Sequence, residues 1–446
     1  MLLKVFALSL AALFIEVILM SIFYIPNKDK FWIDLKSNKT VFYISLTILG
    51  LFILWNFYNI CQTAVDVPYW DEWEALNPGH LDSKLNLDWI FSFHNEHKII
   101  WTRLFTWIMY HIDGWNLKHQ IILNFFLYLA LLFMLYKIIP DKNSLLPLFF
   151  IPCFSDVLIE NQLTGFQSAI YFMLLFSFIA IYFGFVKETN LQNSVLFGVF
   201  SVCAMFSMTF ISGLALFLAY LFKHKKLDAN LMAAGSIVFL GLVGFFVNYN
   251  ALSVQGNLVL PNKIVFWNSY FKIIISGLFN MSFPIFWTLI SGILIFGALG
   301  WLFVSEKNKK DIYVYFALFI LSFCLCAGIA AGRIEGNSLL VVASRYLNIV
   351  NFLIPCIGAL FVRMFNAKLA LIYLVILCIS FSSCYTFANY YANMEYRIQA
   401  KQEMFVIIKS DLEKYMIGKL NPFDLKASIL RAKELNVSFL REFENE

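Results

Sequence analysis

The chain has 446 residues, of which 61% are hydrophobic, 18% aromatic and 14% charged, and its mean hydropathy is +0.75. Soluble globular domains are about 45–50% apolar and about 25% charged, so this composition excludes a soluble or disordered protein and indicates a polytopic membrane protein. The net charge of +5 comes from 33 basic and 28 acidic residues without a long block of like charge, which argues against nucleic-acid binding.

The apolar segments predict an all-α bundle of about twelve membrane-spanning helices, because a spanning helix needs about 20 mainly apolar residues. The candidate spans lie near 4–25, 41–60, 118–138, 144–155, 167–186, 192–206, 208–222, 229–247, 283–303, 312–331, 347–362 and 369–387. We divide the chain into an extra N-terminal helix with its loop (1–40), a transmembrane bundle (41–387) and a C-terminal helical segment (388–446).

The connecting segments predict which side of the membrane each loop faces. Lys and Arg concentrate in one alternate set of short loops, such as those at 223–226 and 307–310. Because cytoplasmic loops carry an excess of these residues, that set is predicted to face the cytoplasm. A large loop at 66–117 and the C-terminal segment are therefore expected on the outer side.

The large loop opens with Trp70, Asp71, Glu72 and Trp73. The two indoles fit the aromatic belt at a membrane interface. Two adjacent carboxylates at the rim of an apolar bundle could hold a general base, because low dielectric and like charge would raise one pKa toward neutrality. The alternative is that these acids are solvated at headgroup level beside aromatic anchors.

A second polar cluster follows in the same loop, between 93 and 103. It contains His94, Glu96, His97, Lys98 and Arg103. On a helix, His94 and Lys98 would share one face, and the desolvation cost of so many polar groups beside lipid favours a functional role. The two histidines could also share a metal, but further ligands and the HExxH pattern of zinc hydrolases are missing, so hydrogen bonds to neighbouring carboxylates are the preferred interpretation.

Two further outer turns carry groups suited to a phosphorylated sugar. The turn at 332–346 contains Arg333, Arg345 and Tyr346, and arginine forks match phosphate oxygens, although arginines that snorkel to lipid headgroups would give the same pattern. The turn at 155–167 offers groups for sugar hydroxyls, which could equally be polar caps on helix ends. These are Glu160, Asn161 and Gln167.

All these groups fall on one predicted side of the membrane, at the rim of an aromatic-rich bundle. A transporter is expected to carry its polar groups near the midplane on broken helices. An enzyme with a lipid-linked donor needs an apolar groove for the lipid, cations for its phosphate and a carboxylate to deprotonate an acceptor hydroxyl. The chain can supply each of these.

On three motifs the chain resembles bacterial integral-membrane glycosyltransferases of the GT-C class, particularly the phage- or prophage-type glucosyltransferases that modify O-antigen. The motifs are Trp70-Asp-Glu-Trp73, His94-Asn-Glu-His-Lys98 followed by Arg103, and Gly332-Arg333 followed by Ser344-Arg345-Tyr346. The resemblance implies a GT-C bundle in the bacterial inner membrane, with the active site facing the periplasm and no cofactor. It implies a polyprenyl-phosphate-linked sugar donor and a polysaccharide or lipid-linked glycan acceptor, with a small flippase and a donor synthase as partners.

The same resemblance assigns roles to residues. It makes Asp71 the catalytic base, with Glu72 as its substitute, and places donor-phosphate binding on Arg333 and Arg345. Lys98 and Arg103 are expected to assist with the phosphate. The expected substrate contacts are Trp70, Trp73, His94, Glu96, His97, Glu160, Asn161, Gln167 and Tyr346. The predicted reaction is a single displacement that inverts the anomeric carbon.

Two other classes remain open at the level of sequence. A flippase or exporter of lipid-linked glycans would use the same apolar groove without covalent chemistry. An O-antigen polymerase or ligase would share the lipid-phosphate leaving group and differ in its acceptor.

Overall fold

In a computed structural model of the chain, the regular secondary structure of the part that it describes is helical. The described residues are 15–16, 34–35, 37–154, 158–224, 226–249, 258–279, 300, 303–305, 310–332, 344–364, 371–377 and 425–444. Within these ranges the all-α prediction is confirmed, since no strand occurs there and the only extended pairing is a bridge between His94 and His97.

The helices alternate between long apolar segments and short polar ones. The first half contains α1 (Lys39–Thr63), a 3-10 helix (Trp70–Leu76), α2 (Leu87–Phe91), α3 (Ile100–Asp113), α4 (Leu117–Ile138), α5 (Leu146–Phe149), a 3-10 helix (Ile151–Phe154), α6 (Ile159–Gln162), a 3-10 helix (Gly165–Gln167) and α7 (Ser168–Ile181), which a π-helix (Tyr182–Val186) extends. The second half contains α8 (Leu191–Met205), α9 (Phe210–His224), α10 (Ala229–Phe246), α11 (Ile264–Phe279), α12 (Ile312–Gly332), a 3-10 helix (Ser344–Tyr346), α13 (Asn348–Asn351), α14 (Leu353–Met364), α15 (Leu425–Glu434) and α16 (Ser438–Glu444).

Five segments are long and apolar enough to cross a membrane: α1, α4, Gly165–Val186, α10 and α12. Four shorter apolar helices accompany them, namely α8, α9, α11 and Asn348–Met364. Continuous helices suit lipid because they satisfy every backbone donor and acceptor internally. The described part of the chain thus has the character of a membrane protein, with fewer long spans than the twelve predicted.

The differences from the predicted spans have local causes. The span expected at 144–155 is wrong as a single helix: it divides into α5 and a 3-10 helix, because Pro147 and Pro152 each remove a backbone donor. Helix α11 was not predicted, since Asn268, Ser269 and Lys272 lower its hydropathy. The spans predicted at 4–25, 283–303 and 369–387 lie largely outside the described residues.

The two ends of the bundle carry different polar groups. The end where the 66–117 loop joins α1 and α4 is called the loop end here. The loop reaches across it, since the Ile100 amide donates to the Phe206 carbonyl (3.0 Å) and Lys98 Nζ donates to the Gly244 carbonyl at the end of α10 (3.1 Å). At the opposite end, Arg363 Nη1 lies 3.1 Å from the Asp141 carboxylate. Polar groups of the 66–117 loop therefore face the turns of several other helices.

The two C-terminal helices, α15 and α16, pack on the large loop. The Asp66 carboxylate accepts hydrogen bonds from the Leu117 amide (2.8 Å) and from Ser438 Oγ (2.7 Å). The ring of Trp73 meets that of Phe439 edge-on at a centroid distance of 5.8 Å, and both side chains are fully buried. The first and last segments of this unit thus share a small apolar core that supports the 3-10 helix at Trp70–Leu76.

Replacing Phe439 with alanine should loosen the large loop. Truncating a buried phenylalanine costs about 3–5 kcal/mol, and here the cavity would open beside Trp73. Limited proteolysis of the purified protein should cleave the 66–117 loop faster in Phe439→Ala than in the wild type. Leu430→Ala is the control, because Leu430 lies on the exposed side of α15. Equal cleavage of both variants would contradict this packing role.

Candidate functional site

The site begins with the 3-10 helix at Trp70–Leu76, which sorts its acidic residues onto two sides. Residues three apart eclipse each other in a 3-10 helix, so Asp71 and Glu74 share a side while Glu72 points elsewhere. The helix is fixed at its start, where the Tyr69 amide donates to Glu72 Oε2 (2.8 Å). Trp70 adopts a positive φ of 48° and is exposed at the rim.

Glu72 is a buried anchor that joins the loop to the bundle. Its Oε1 accepts from the Gly165 amide (2.6 Å) and the Phe166 amide (3.2 Å). A Cβ at position 165 would lie 3.1 Å from that oxygen, so the close approach favours glycine there. The expectation that Glu72 could substitute for Asp71 does not fit this geometry, because its carboxylate is already bound by backbone amides.

The polar cluster at 93–103 is not one helix. His94 and His97 exchange two backbone hydrogen bonds (2.8 and 2.9 Å), and the turn between them places Asn95 at a φ of 50°. Helix α3 begins only at Ile100. The expected helical face shared by His94 and Lys98 is therefore wrong, and the tight turn instead directs His94 toward the 3-10 helix at Trp70–Leu76.

His94 lies between two carboxylates. Its Nδ1 is hydrogen-bonded to Glu74 Oε2, and its Nε2 is 3.8 Å from Asp71 Oδ2. The imidazole is 11% exposed, whereas the Asp71 side chain is 47% exposed. His94 also packs against the ring of Phe166, at a centroid distance of 4.9 Å. Of the two acids it contacts, Asp71 is the one that solvent or a substrate can reach.

Arg103, on α3, supports the Glu74 carboxylate that His94 contacts. Its Nη2 donates to Glu74 Oε1 (2.7 Å), and its Nη1 donates to the carbonyls of Trp89 and Ser92 (2.6 Å each). The residue is almost completely buried. Since its guanidinium is bound within the loop itself, Arg103 orders the site and is not placed for the expected donor-phosphate binding.

The charges at this cluster shift one another's pKa. Burial would raise the pKa of Asp71, but its contacts with His94 and the charge of Arg345 outweigh burial and lower it. Burial also opposes ionisation of Glu74, yet His94 and Arg103 lower its pKa to about 2. The carboxylates in turn overcome the burial of His94 and raise its pKa to about 9. Asp71 is therefore not the member of the adjacent acid pair whose pKa rises, because its contacts with His94 favour the carboxylate.

The charge on His94 should make the stability of the protein depend on pH. Its pKa is about 9 in the fold against an ordinary 6.5, so its stabilising effect is complete below pH 6.5 and is lost as pH rises through 9. Thermal unfolding in detergent should show wild type losing stability relative to His94→Gln across this window. A difference between the two proteins that is constant with pH would contradict a charged His94.

Arg345, which is far from Asp71 in the sequence, is held in place by Glu160 and Asn161. Its Nη1 donates to Glu160 Oε1 (2.7 Å), and its carbonyl accepts from Asn161 Nδ2 (2.8 Å). The Arg345 side chain is 43% exposed and stacks over the ring of Tyr346, with the guanidinium carbon 5.2 Å from the ring centroid. Helix α6 and the 3-10 helix at Ser344–Tyr346 thus hold a partly exposed guanidinium close enough to Asp71 for its charge to lower the pKa of that carboxyl.

The remaining predicted site residues differ in what they contact. Lys98 Nζ donates to the Gly244 and Val247 carbonyls (3.1 and 3.2 Å). Its ammonium is therefore engaged at the end of α10 rather than exposed near Asp71. Trp73 is buried against Phe439, which removes it from the expected substrate contacts. His97 Nε2 pairs with Glu96 Oε1 at 3.2 Å. Gln167 is half-buried, and Arg333 lies outside the described residues.

A narrow recess runs behind Asp71 into the loop. Glu72, Glu74, Arg103, Gln120 and Phe166 are among its lining residues, and it has room for about one water molecule. The recess is therefore too small for a molecule much larger than water, and a larger ligand of Asp71 would have to bind on its exposed side. In the described ranges, no group of three or more His, Cys, Asp or Glu side chains is arranged to hold a metal ion.

Glu74 is the residue at this centre that the sequence reasoning did not single out. It bridges His94 and Arg103, and so joins the two polar segments of the loop. A signal was present in the spacing of Asp71 and Glu74, which are three positions apart. That spacing points to a shared side once the segment is identified as a helix of either the α or the 3-10 type.

Comparisons with known proteins give no match for this chain among protein-family models, curated proteins or solved structures.

Proposed function

We propose that the protein is a membrane glycosyltransferase that transfers a hexose from a polyprenyl-phosphate donor to a surface glycan. The observation that carries the proposal is that a half-exposed Asp71 carboxylate and the partly exposed guanidinium of Arg345 lie within electrostatic range of each other. These groups come from distant parts of the chain and meet at one end of an apolar helical bundle. A carboxylate beside a cation is what hydroxyl activation and phosphate departure together require.

The proposed reaction is a single displacement at the anomeric carbon. The acceptor hydroxyl gives its proton to Asp71, and its oxygen attacks the anomeric carbon. The bond between that carbon and the phosphate oxygen breaks, and both electrons leave with the polyprenyl phosphate. Arg345 stabilises the charge that develops on the departing phosphate. Attack from the side opposite the phosphate inverts the configuration.

The surroundings of Arg345 support a phosphate-binding role. A guanidinium has five N–H donors, and Glu160 engages Arg345 through Nη1. Because the Arg345 guanidinium is partly exposed, an anion at the loop end can reach it. Glu160 and Asn161 hold the Arg345 segment in place, which favours a fixed position for the donor phosphate.

The proposed setting is the bacterial inner membrane, with the loop end facing the periplasm. The apolar helices would accommodate the lipid chain of the donor, and exposed Trp70 stands beside Asp71 where a sugar ring could stack. The proposed acceptor is a polysaccharide such as O-antigen. A donor synthase and a small flippase would supply the donor on the outer side.

The proposal is tested by mass spectrometry of surface polysaccharide from cells with and without the gene. We expect an added hexose only when the gene is present, and a loss of that hexose in Arg345→Ala. Arg345→Lys should retain part of the transfer, because it keeps the positive charge but loses the fork geometry. No change in any glycan on deleting the gene would overturn the transferase proposal. Longer or shorter chains without an added hexose would instead favour a polymerase or ligase.

A further inference from the structure

His94 is positioned to influence the orientation of the Asp71 carboxylate. One ring nitrogen is bound to Glu74 and the other faces Asp71 at 3.8 Å. A neutral imidazole offers one donor and one acceptor, so only the doubly protonated ring can present N–H groups to both carboxylates. The geometry therefore favours a cation that links a buried acid to an exposed one.

The imidazole of His94 is held in position by contacts on several sides. The two backbone hydrogen bonds between His94 and His97 hold the turn that carries it. Phe166 covers one side of the ring, and Arg103 fixes the Glu74 carboxylate on which the ring rests. Each support comes from a different element, so the imidazole has little freedom to move away from Asp71.

Charges of both signs surround this centre. Two carboxylates contact the ring, Arg103 is bound to Glu74, and the charge of Arg345 acts on Asp71. His80 adds a further imidazole, whose Nδ1 lies 2.7 Å from the Glu74 carbonyl. Loss of the proton from His94 would leave Asp71 with Arg345 as its neighbouring cation. The charged and titratable groups around His94 are Asp71, Glu74, His80, Glu96, His97, Arg103 and Arg345.

We propose that His94 is a positioning residue which, as an imidazolium held by Glu74, orients the Asp71 carboxylate toward the acceptor hydroxyl. This inference rests on the proposed transferase function for the identity of the hydroxyl. The pairing of His94 with Asp71 does not depend on that function and can be measured separately.

The first test measures the pairing by chemical labelling. Diethyl pyrocarbonate modifies the unprotonated imidazole, so the labelling of His94 in the full-length protein, read by peptide mass spectrometry against pH, reports its protonation. We expect a midpoint near 9 in wild type and a clearly lower midpoint in Asp71→Asn. Asp88→Asn is the matched control, because Asp88 is an exposed acid of the same loop. A His94 midpoint that is unchanged by Asp71→Asn would overturn the proposal.

The second test measures the consequence for transfer. His94→Gln should reduce hexose transfer by up to about 10²-fold, because a misplaced catalytic group loses that much. Wild-type transfer in membranes should fall as pH passes 9, and this fall should be absent in His94→Gln. Transfer is normalised to the amount of folded protein at each pH, because a purely structural histidine would lower transfer only in proportion to the loss of folded protein, and a fall that vanishes on this normalisation would overturn the proposal.

The two tests separate the two proposals. If labelling shows the pairing but wild-type cells add no hexose, the transferase proposal fails while the His94–Asp71 pair stands. If hexose is added and the labelling midpoint does not respond to Asp71→Asn, the transferase proposal stands and the role of His94 is rejected.

Discussion

Asp71→Asn is expected to reduce hexose transfer by about 10²- to 10⁴-fold, which is the contribution of a positioned general base. The amide keeps the size and shape of the carboxylate but cannot accept a proton. Because the side chain is half-exposed and its main partner is His94, the substitution should leave the fold intact. The measurement is the amount of hexose on surface polysaccharide by mass spectrometry, normalised to the amount of protein in the membrane.

The matched control for this prediction is Asp88→Asn. It makes the same chemical change on the same loop, at an exposed position in the first turn of α2. Its transfer should remain close to that of wild type. Equal transfer by Asp71→Asn and wild type would remove Asp71 from the proposed mechanism.

Arg103→Met is expected to cause a large loss of stability, comparable with that of Phe439→Ala. Removing one partner of a buried ion pair costs about 3–5 kcal/mol, because the other charge is left without compensation. Here the Glu74 carboxylate would lose Arg103 and keep His94, while the carbonyls of Trp89 and Ser92 would each lose a hydrogen bond from the guanidinium. Methionine retains most of the apolar stem, so the loss reports the charge and hydrogen bonds rather than a cavity.

The measurement is the midpoint of thermal unfolding in detergent, followed together with protease sensitivity of the 66–117 loop. Lys118→Met removes the same charge from an exposed position at the start of α4 and should unfold as wild type does. If Arg103→Met were as stable as Lys118→Met, the buried pair with Glu74 would have no structural importance. Reduced transfer by Arg103→Met at unchanged stability would instead indicate a direct role at the site.

The long apolar helices were predictable because their signal is local. Segments such as those at 118–138 and 312–331 are recognised from composition alone, and the structure places α4 and α12 within one or two residues of them. Short or polar segments escaped the same reasoning. Helix α11 carries polar residues on an otherwise apolar stretch, and the prolines of 144–155 break a run that is apolar throughout.

Candidate residues of the site were identifiable by type, but their roles were not. Glu72 and Asp71 are adjacent acids in sequence, yet backbone amides of the Gly165 turn bind one and leave the other exposed. Lys98 and Arg345 are both cations near the loop end, yet the end of α10 occupies one while the other remains partly exposed at the mouth. These assignments depend on partners more than 90 residues away in the chain.

By itself, the sequence determined that this is an apolar helical protein whose chemistry-bearing side chains gather in a large loop and a few turns, because hydropathy and residue type are properties of short segments. Only the tertiary structure decided which acid is exposed, which cation faces it and that Glu74 links His94 to Arg103. The physical reason is that the ionisation and availability of a side chain depend on the charges, amides and burial around it, and packing of distant segments supplies these.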